Sequence, residues 1–149
     1  MAEYIAAQLR ELGIEVEIHQ AENSEVYYRE IRAGNYDLAL AGWIADTLDP
    51  IDFLDSVLSP KAIPIPEEAV SIHANLSRWS DAEIEGLLRR YRQEPSDENL
   101  TEILDRVASE VPFLPLMYGS IIYVHSWRVR NFQPTALGLT AFHRLSLAD

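Results

Sequence analysis

Four aspartates recur at every third position in one stretch of the chain, at Asp46, Asp49, Asp52 and Asp55. They follow an apolar run over residues 36–43, and no Lys or Arg lies between Arg32 and Lys61. A carboxylate shielded from water can hold an ammonium group through charge-assisted hydrogen bonds, and the indole of Trp43 can add an aromatic wall. The pattern therefore predicts a site for a positively charged ligand, with Asp46 as its anionic anchor.

Other roles fit the same residues. Asp46 and Trp43 also suit a capping residue and a core residue, and Asp49 before Pro50 suits a helix cap. A calcium site is a further alternative, although the stretch lacks the alternating ligands and the central glycine of an EF-hand loop. The histidines are scattered and have no partner at metal-binding spacing: His19, His73, His125 and His143. We therefore expect neither a metal nor a cofactor.

Composition excludes several classes of protein. The chain has 149 residues, 48% of them hydrophobic, which is enough for one packed domain. Its formal charge of −12 argues against nucleic-acid binding, and the absence of cysteine excludes disulfides and thiolate chemistry. No apolar run is long enough to span a membrane, and no enzyme motif appears. The chain opens inside a helix pattern, without a signal peptide, as a piece of a longer protein would.

The elements before the aspartates alternate between helix and strand. Residues 2–12 have a helical apolar stripe that Gly13 ends, and residues 14–18 alternate like a half-exposed strand. A second helix, capped by Asn23 or Ser24, runs to about Ala33, and residues 36–43 follow as a strand buried on both faces. This order predicts a parallel β-α-β unit, and ligands bind open α/β sheets just beyond the carboxyl ends of strands.

The second half of the chain is predicted to be helical and then strand-rich. A short helix over residues 50–58 precedes an irregular, proline-containing segment, residues 59–70. Ser80 and Glu83 form a capping box before the first of two amphipathic helices, whose stripes are Ile84, Leu87, Leu88 and Tyr91, then Leu100, Ile103, Leu104 and Val107. Pro112 ends the second helix, and residues 113–117 and 121–124 are predicted strands. Asn75 and Asn99 begin glycosylation sequons, a pattern frequent by chance.

These residues resemble a known family. The segments LRELGIEVEI, YDLALAGW, WIAD–LDP–DFLDSVLS, NLSRWSDAEIEGLL and EVPFLPLMYG occur in the order found in the C-terminal lobe of family 5 extracellular solute-binding proteins. Members of that family are the oligopeptide, dipeptide and nickel receptors of bacterial ABC importers. The resemblance covers residues 2–123 and continues more weakly to the end of the chain.

The resemblance implies a role for each residue of the predicted site. In similar peptide-binding members, the Asp after the Trp pairs with the free α-amino group of the peptide, which corresponds to Asp46 here. Trp43 is the matching aromatic residue, and Gly42, Ile44 and Ala45 complete the expected ligand-binding set. Main-chain groups of two lobes hold the peptide backbone, while its side chains lie in water-filled pockets.

The resemblance also implies an architecture and partners. The expected fold is α/β, a periplasmic-binding-protein-like lobe with a partial parallel sheet flanked by helices and a strand-rich C-terminal tail. Residues 1–114 would be part of the C-terminal lobe, and residues 115–149 a tail that crosses back to the N-terminal lobe. The expected partners are a peptide or small-molecule ligand and the transmembrane subunits of an ABC permease, with no nucleic acid and no membrane span in this chain.

Three further expectations concern the whole protein. It would be a non-catalytic receptor in the periplasm, or outside the cell and anchored to the membrane. Because exposed strand edges recruit partners, the tail is expected to pair with another copy of the chain or to pack abnormally. The ending of the chain, VPFLPLMYGSIIYVHSW through TALGLTAFHRLSL, also resembles solute-binding-like sensor domains of transcription regulators. A regulatory sensor is therefore the alternative to a transport receptor.

Overall fold

The computed structural model describes residues 1–66 and 74–148, and this part of the chain is mainly helical. Its regular elements are helices α1 (Ala2–Glu11), α2 (Ser24–Ala33), α3 (Pro50–Leu58), α4 (Ala82–Gln93) and α5 (Asp97–Glu110), with strands β1 (Val129–Arg130) and β2 (Ser146–Leu147). Short 3₁₀ turns occur at Pro60–Ala62 and Phe142–Arg144. The two strands pair antiparallel, with Val129 opposite Leu147. The predicted irregular segment extends into residues 67–70, which lie outside the described residues, as does His73.

The helix ends follow their capping residues. The Asn23 side chain accepts a hydrogen bond from the backbone of Val26 (3.0 Å) and begins α2, as predicted. Asp49 caps α3 through the N–H of Ile51 (3.1 Å), also as predicted. The capping box predicted for α4 is wrong by one residue, because Asp81 rather than Ser80 is the cap. The Arg106 guanidinium donates to the Asp81 carboxylate and lowers its pKa.

A core forms where α4 packs against α3 on one side and α5 on the other. Its buried side chains are Leu54, Leu58, Ile84, Leu88, Tyr91 and Ile103. Leu87, Leu100 and Val107 pack around them at partial burial. The predicted stripes therefore identify the core faces of α4 and α5, except that Leu104 is 49% exposed.

The predicted parallel sheet is not confirmed. Residues 14–18 and 36–43 form no strand, and the β1–β2 pair is the only sheet in the described ranges. Leu38, expected to be buried on a two-sided strand, is 71% exposed. A strand satisfies its backbone groups on neighbouring strands, and without such neighbours the apolar pattern alone cannot hold these segments in a sheet.

The strand-rich tail is not confirmed either. Residues 113–117 and 121–124 adopt no helix or strand. The tail is instead held by local contacts: the Tyr123 hydroxyl donates to the carbonyl of Gly138 (2.5 Å), and its ring meets Phe132 edge-on at 5.3 Å. Most of the apolar surface before Tyr123 consequently stays exposed, with Tyr118 at 93%.

The end of α2 is fastened to the segment that precedes α4. A guanidinium nitrogen of Arg78 donates to the carbonyl of Arg32 in the last turn of α2. Gly34 follows with φ of +76°, and a Cβ at that position would overlap the Arg78 guanidinium. The Tyr36 hydroxyl adds a hydrogen bond to the carbonyl of Leu76 (2.5 Å). These contacts connect the apolar segment after α2 to the helical core.

Asn75 is the polar centre of the connection between α3 and α4. Its side chain is fully buried, and its amide nitrogen donates to the carbonyls of Ser59 (3.0 Å) and Trp79 (2.9 Å). Its amide oxygen accepts a hydrogen bond from the hydroxyl of Ser77 (2.9 Å). A side chain enclosed in this way has no room for a glycan, so the sequon match reflects a structural residue.

Replacing Asn75 by alanine is expected to lower the free energy of unfolding by about 1–3 kcal/mol, because buried partners of its side chain are left without a hydrogen bond. Chemical denaturation followed by circular dichroism measures this loss. Asn99→Ala is the matched control, because Asn99 is only partly buried and its side chain makes one hydrogen bond, to the carbonyl of Glu94 (2.8 Å). Equal losses in the two variants would contradict the role assigned to Asn75.

Candidate functional site

Three of the four regularly spaced aspartates have structural partners. Asp49 caps α3, as described above. One carboxylate oxygen of Asp52 accepts hydrogen bonds from the backbone N–H groups of Asp46 (2.8 Å) and Thr47 (3.1 Å). Asp55 pairs with Arg92 of α4, which donates through Nε (2.6 Å) and a second guanidinium nitrogen. These three aspartates therefore have different structural roles. Asp49 caps a helix, Asp52 holds the loop backbone, and Asp55 forms an interhelical ion pair.

Asp46 is the exception among the four. Its side chain is exposed, and its carboxylate has no hydrogen bond or ion pair within residues 1–66 and 74–148. Only its backbone N–H is engaged, with Asp52. Asp46 is also not the cap of α3, since Asp49 holds that position. A loop with a fixed backbone thus presents an unpaired carboxylate to solvent, which leaves it available for a cationic ligand.

The other predicted site residues lie in the irregular segment immediately before Asp46. Trp43 is 37% exposed and is not part of the α3–α4–α5 core, which disfavours its alternative role as a core residue. Ile44 is 83% exposed, Ala45 is half-buried, and a Cβ at Gly42 would meet no atom within 4 Å. The segment is therefore open to solvent along the whole predicted site.

Sequence reasoning missed the residues that hold this segment in place. The Tyr27 hydroxyl of α2 donates to the carbonyl of Leu40 (2.9 Å), and Tyr36 reaches Leu76 as described above. Asp52 braces the loop at its other end. The sequence does carry a signal for Asp52, because an acidic residue three positions after a cap commonly reaches back to backbone N–H groups before the helix.

No group of three or more His, Asp or Glu side chains suited to a metal ion occurs among the residues that the structure describes.

A shallow depression on the α4–α5 surface contains none of the predicted site residues; it is lined by Glu83, Leu87, Glu102, Asp105, Arg106 and Ser109. The Arg106 guanidinium in this depression already forms ion pairs with Asp81 and Glu110. The depression is therefore a solvent-exposed groove between two packed helices.

Of the helices described, none has the length and apolar character needed to cross a membrane.

Comparisons with known proteins agree with the resemblance seen in the sequence. Residues 1–64 match the model of a family described as bacterial extracellular solute-binding proteins, family 5 middle. Di/tripeptide-binding protein 4 of Pseudomonas aeruginosa (strain UCBPP-PA14) is 29% identical over 135 residues, covering 88% of this chain and 24% of the relative. Di/tripeptide-binding protein 2 of the same strain is 28% identical over 152 residues, covering 99% of this chain and 27% of the relative.

A third relative is the peptide transport periplasmic protein SapA of Salmonella typhimurium (strain LT2). It is 25% identical over 151 residues, covering 97% of this chain and 26% of the relative. The chain thus spans about a quarter of the length of these curated relatives. No solved structure gives a significant match.

The chain is therefore similar to bacterial extracellular solute-binding proteins, both in its first 64 residues and along most of its length. The matching family model is that of family 5, the family that the sequence resemblance predicted. It supports the α/β periplasmic-binding fold as the general class, although the described residues contain no parallel sheet. Each of the three relatives is named as a peptide-binding or peptide-transport protein rather than an enzyme, and nothing here favours the alternative of a transcription regulator.

Proposed function

We propose that this chain is part of the solute-binding component of a bacterial ABC importer. The component captures peptides or similar amine-bearing solutes between two lobes and delivers them to the transmembrane permease subunits. Asp46 receives the ligand ammonium group, and Trp43 flanks it with Gly42, Ile44 and Ala45. The chain itself catalyses no reaction.

The observation that carries this proposal is the unpaired carboxylate of Asp46. Asp49 caps α3, Asp52 accepts two backbone N–H groups, and Asp55 pairs with Arg92. These structural roles explain three of the four regularly spaced aspartates but not Asp46. Trp43, three residues earlier, keeps part of its indole exposed. A carboxylate and an exposed indole are the groups that recognise an alkylammonium. The peptide-binding names of the relatives are consistent with that ligand class.

The remaining architecture is proposed on the same basis. Residues 1–114 belong to the C-terminal lobe, and residues 115–149 form a tail that crosses to the other lobe. Residues 14–18 and 36–43 become parallel strands when the rest of the sheet is beside them, which accounts for their apolar pattern without a strand here. The receptor acts in the periplasm, or outside the cell on a membrane anchor, where imported solutes are first met.

Titration of the chain with short peptides, followed by NMR, tests the proposed function, because NMR detects weak binding to one half of a two-lobed site. We expect trialanine to bind at least roughly tenfold more tightly than N-acetyl-trialanine, since acetylation removes the ammonium charge. Equal affinity for the two peptides, or no binding of either, would overturn the peptide-receptor proposal.

The tail supports a second proposal, which concerns association between copies of the chain. Residues 111–148 contain no Asp or Glu and three Arg, whereas 23 of the 24 acidic residues and nine of the 12 basic residues lie in residues 1–110. Within the tail, Ile122 is 85% and Val124 93% exposed. We infer that this apolar, basic tail docks on the acidic body of a second copy, since opposite charge and apolar burial both favour that contact.

Light scattering after size-exclusion chromatography is expected to show species heavier than the 16.9 kDa monomer, increasing with protein concentration. The double variant Ile122→Asp/Val124→Asp should shift the chain towards the monomer, because it places unpaired charge in the apolar contact. Leu12→Asp is the control, as Leu12 is equally apolar and exposed but lies outside the tail. A wild-type chain that remains monomeric at every concentration would rule out this association.

A further inference from the structure

Asp52 differs from its neighbours in what it contacts. Its Oδ2 atom accepts both the Asp46 N–H (2.8 Å) and the Thr47 N–H (3.1 Å). The first of these distances is typical of a charge-assisted hydrogen bond. The two donors belong to the residue that presents the unpaired carboxylate and to the residue after it. One side chain thus fixes the backbone on which the Asp46 side chain stands.

The position of Asp52 on α3 makes this brace rigid. Asp52 lies in the first turn of α3, and the helix is anchored in the core by Leu54 and Leu58, which are 7% and 0% exposed. At the opposite side of the loop, the Thr47 hydroxyl accepts the N–H of Asp49 (3.2 Å), so the loop is tied to the helix start twice. The conformation of the loop is therefore set by its hydrogen bonds to the start of a helix that is anchored in the core.

We propose that Asp52 is a positioning residue for ligand binding: it holds the Asp46 backbone so that the Asp46 carboxylate faces the ligand ammonium. This inference rests on the proposed function of Asp46. Asp52 acts as a hydrogen-bond acceptor: its carboxylate contacts the two N–H groups, and it does not contact the ligand. A carboxylate positioned before the ligand arrives loses less conformational freedom on binding.

The contact between Asp52 and the loop is tested first in the unliganded chain. Amide hydrogen exchange of Asp46 and Thr47, measured by NMR, should accelerate roughly tenfold or more in Asp52→Ala, because both amides lose their acceptor. Asp55→Ala is the matched control. It removes the same charge from the same helix, but the Asp55 carboxylate contacts Arg92 rather than the loop. Exchange that is unchanged at both amides in Asp52→Ala would overturn the proposal.

The consequence for binding is tested with trialanine on the same variants. Asp52→Ala should weaken trialanine binding roughly tenfold and reduce the preference over N-acetyl-trialanine, whereas Asp55→Ala should keep that preference. Asp52→Asn should retain most of the affinity, because its amide oxygen can accept the same two N–H groups. Equal effects of Asp52→Ala and Asp55→Ala, or no rescue by Asp52→Asn, would overturn the positioning role.

The proposed function and the positioning role of Asp52 can be contradicted separately. If the wild-type chain binds neither peptide, the proposed function fails, while amide exchange still decides whether Asp52 holds the loop. If the wild-type chain prefers trialanine and the Asp52→Ala variant retains that preference in full, the proposed function stands and the positioning role is wrong.

Discussion

Asp46→Asn is expected to weaken trialanine binding by about 1.5–3 kcal/mol, or roughly ten- to a hundredfold. The substitution keeps the size of the side chain and removes the charge that would meet the ammonium group. The fold should be unaffected, because the Asp46 carboxylate has no partner in the described part of the chain and its backbone bond to Asp52 is retained. NMR titration measures the change in affinity, and circular dichroism checks the fold.

Asp37→Asn is the control for this prediction. Asp37 is also exposed, lies in the same irregular segment, and loses the same unit of charge when changed to asparagine. A general electrostatic attraction between an acidic protein and a cationic peptide would weaken equally in both variants. A loss confined to Asp46→Asn supports a specific contact, and equal losses would contradict it.

Leu88→Ala is expected to have the largest effect on stability, a loss of about 2–5 kcal/mol in the free energy of unfolding. Leu88 is fully buried in α4, the helix that packs against both α3 and α5. Removing its isobutyl group leaves a cavity at the centre of the core, and small domains have only about 5–15 kcal/mol to lose. Chemical denaturation measures the effect.

Leu104→Ala provides the comparison. Leu104 lies on α5 and fits the same sequence stripe, but it is 49% exposed, so its truncation should cost less than half as much as that of Leu88. If both variants lost the same stability, the assignment of the core to the α3–α4–α5 cluster would be wrong.

The helical part of the fold was predictable because its signals are local. Caps at Asn23 and Asp49 use side chains that bond to N–H groups two or three residues away. The stripes of α4 and α5 identify buried faces because each helix satisfies its own backbone and only needs an apolar partner. Ser80 was mistaken for the cap of α4 because the adjacent Asp81 is an equally good acceptor, and Asp81 also pairs with Arg106.

The strands were not predictable in the same way, since their signals depend on distant partners. Residues 36–43 have the apolar run of a buried parallel strand, yet a strand forms only beside other strands. Within the described residues, this segment is held by hydrogen bonds that the Tyr27 and Tyr36 hydroxyls donate to carbonyl groups. Residues 113–117 and 121–124 likewise have an apolar pattern, but they pair with no strand in the described part of the chain.

The candidate site was only partly predictable. Asp46 and Trp43 were identified from residue types and from the resemblance, and the structure places both in an open segment. Spacing alone could not rank the four aspartates, because all four repeat at the same interval. The contacts of the other three separate Asp46 from them, and Asp52 emerged as the brace only from the distances to two backbone N–H groups.

The proposed function depends on contact between the Asp46 carboxylate and a ligand ammonium group. The most direct test is the ¹³C carboxyl signals of Asp46, Asp49, Asp52 and Asp55 in the wild-type chain, recorded as trialanine or N-acetyl-trialanine is added. We predict that the Asp46 signal moves most with trialanine and stays in place with the acetylated peptide. An Asp46 signal that is unmoved by trialanine, or that moves equally with both peptides, would show that the Asp46 carboxylate does not contact the ammonium group.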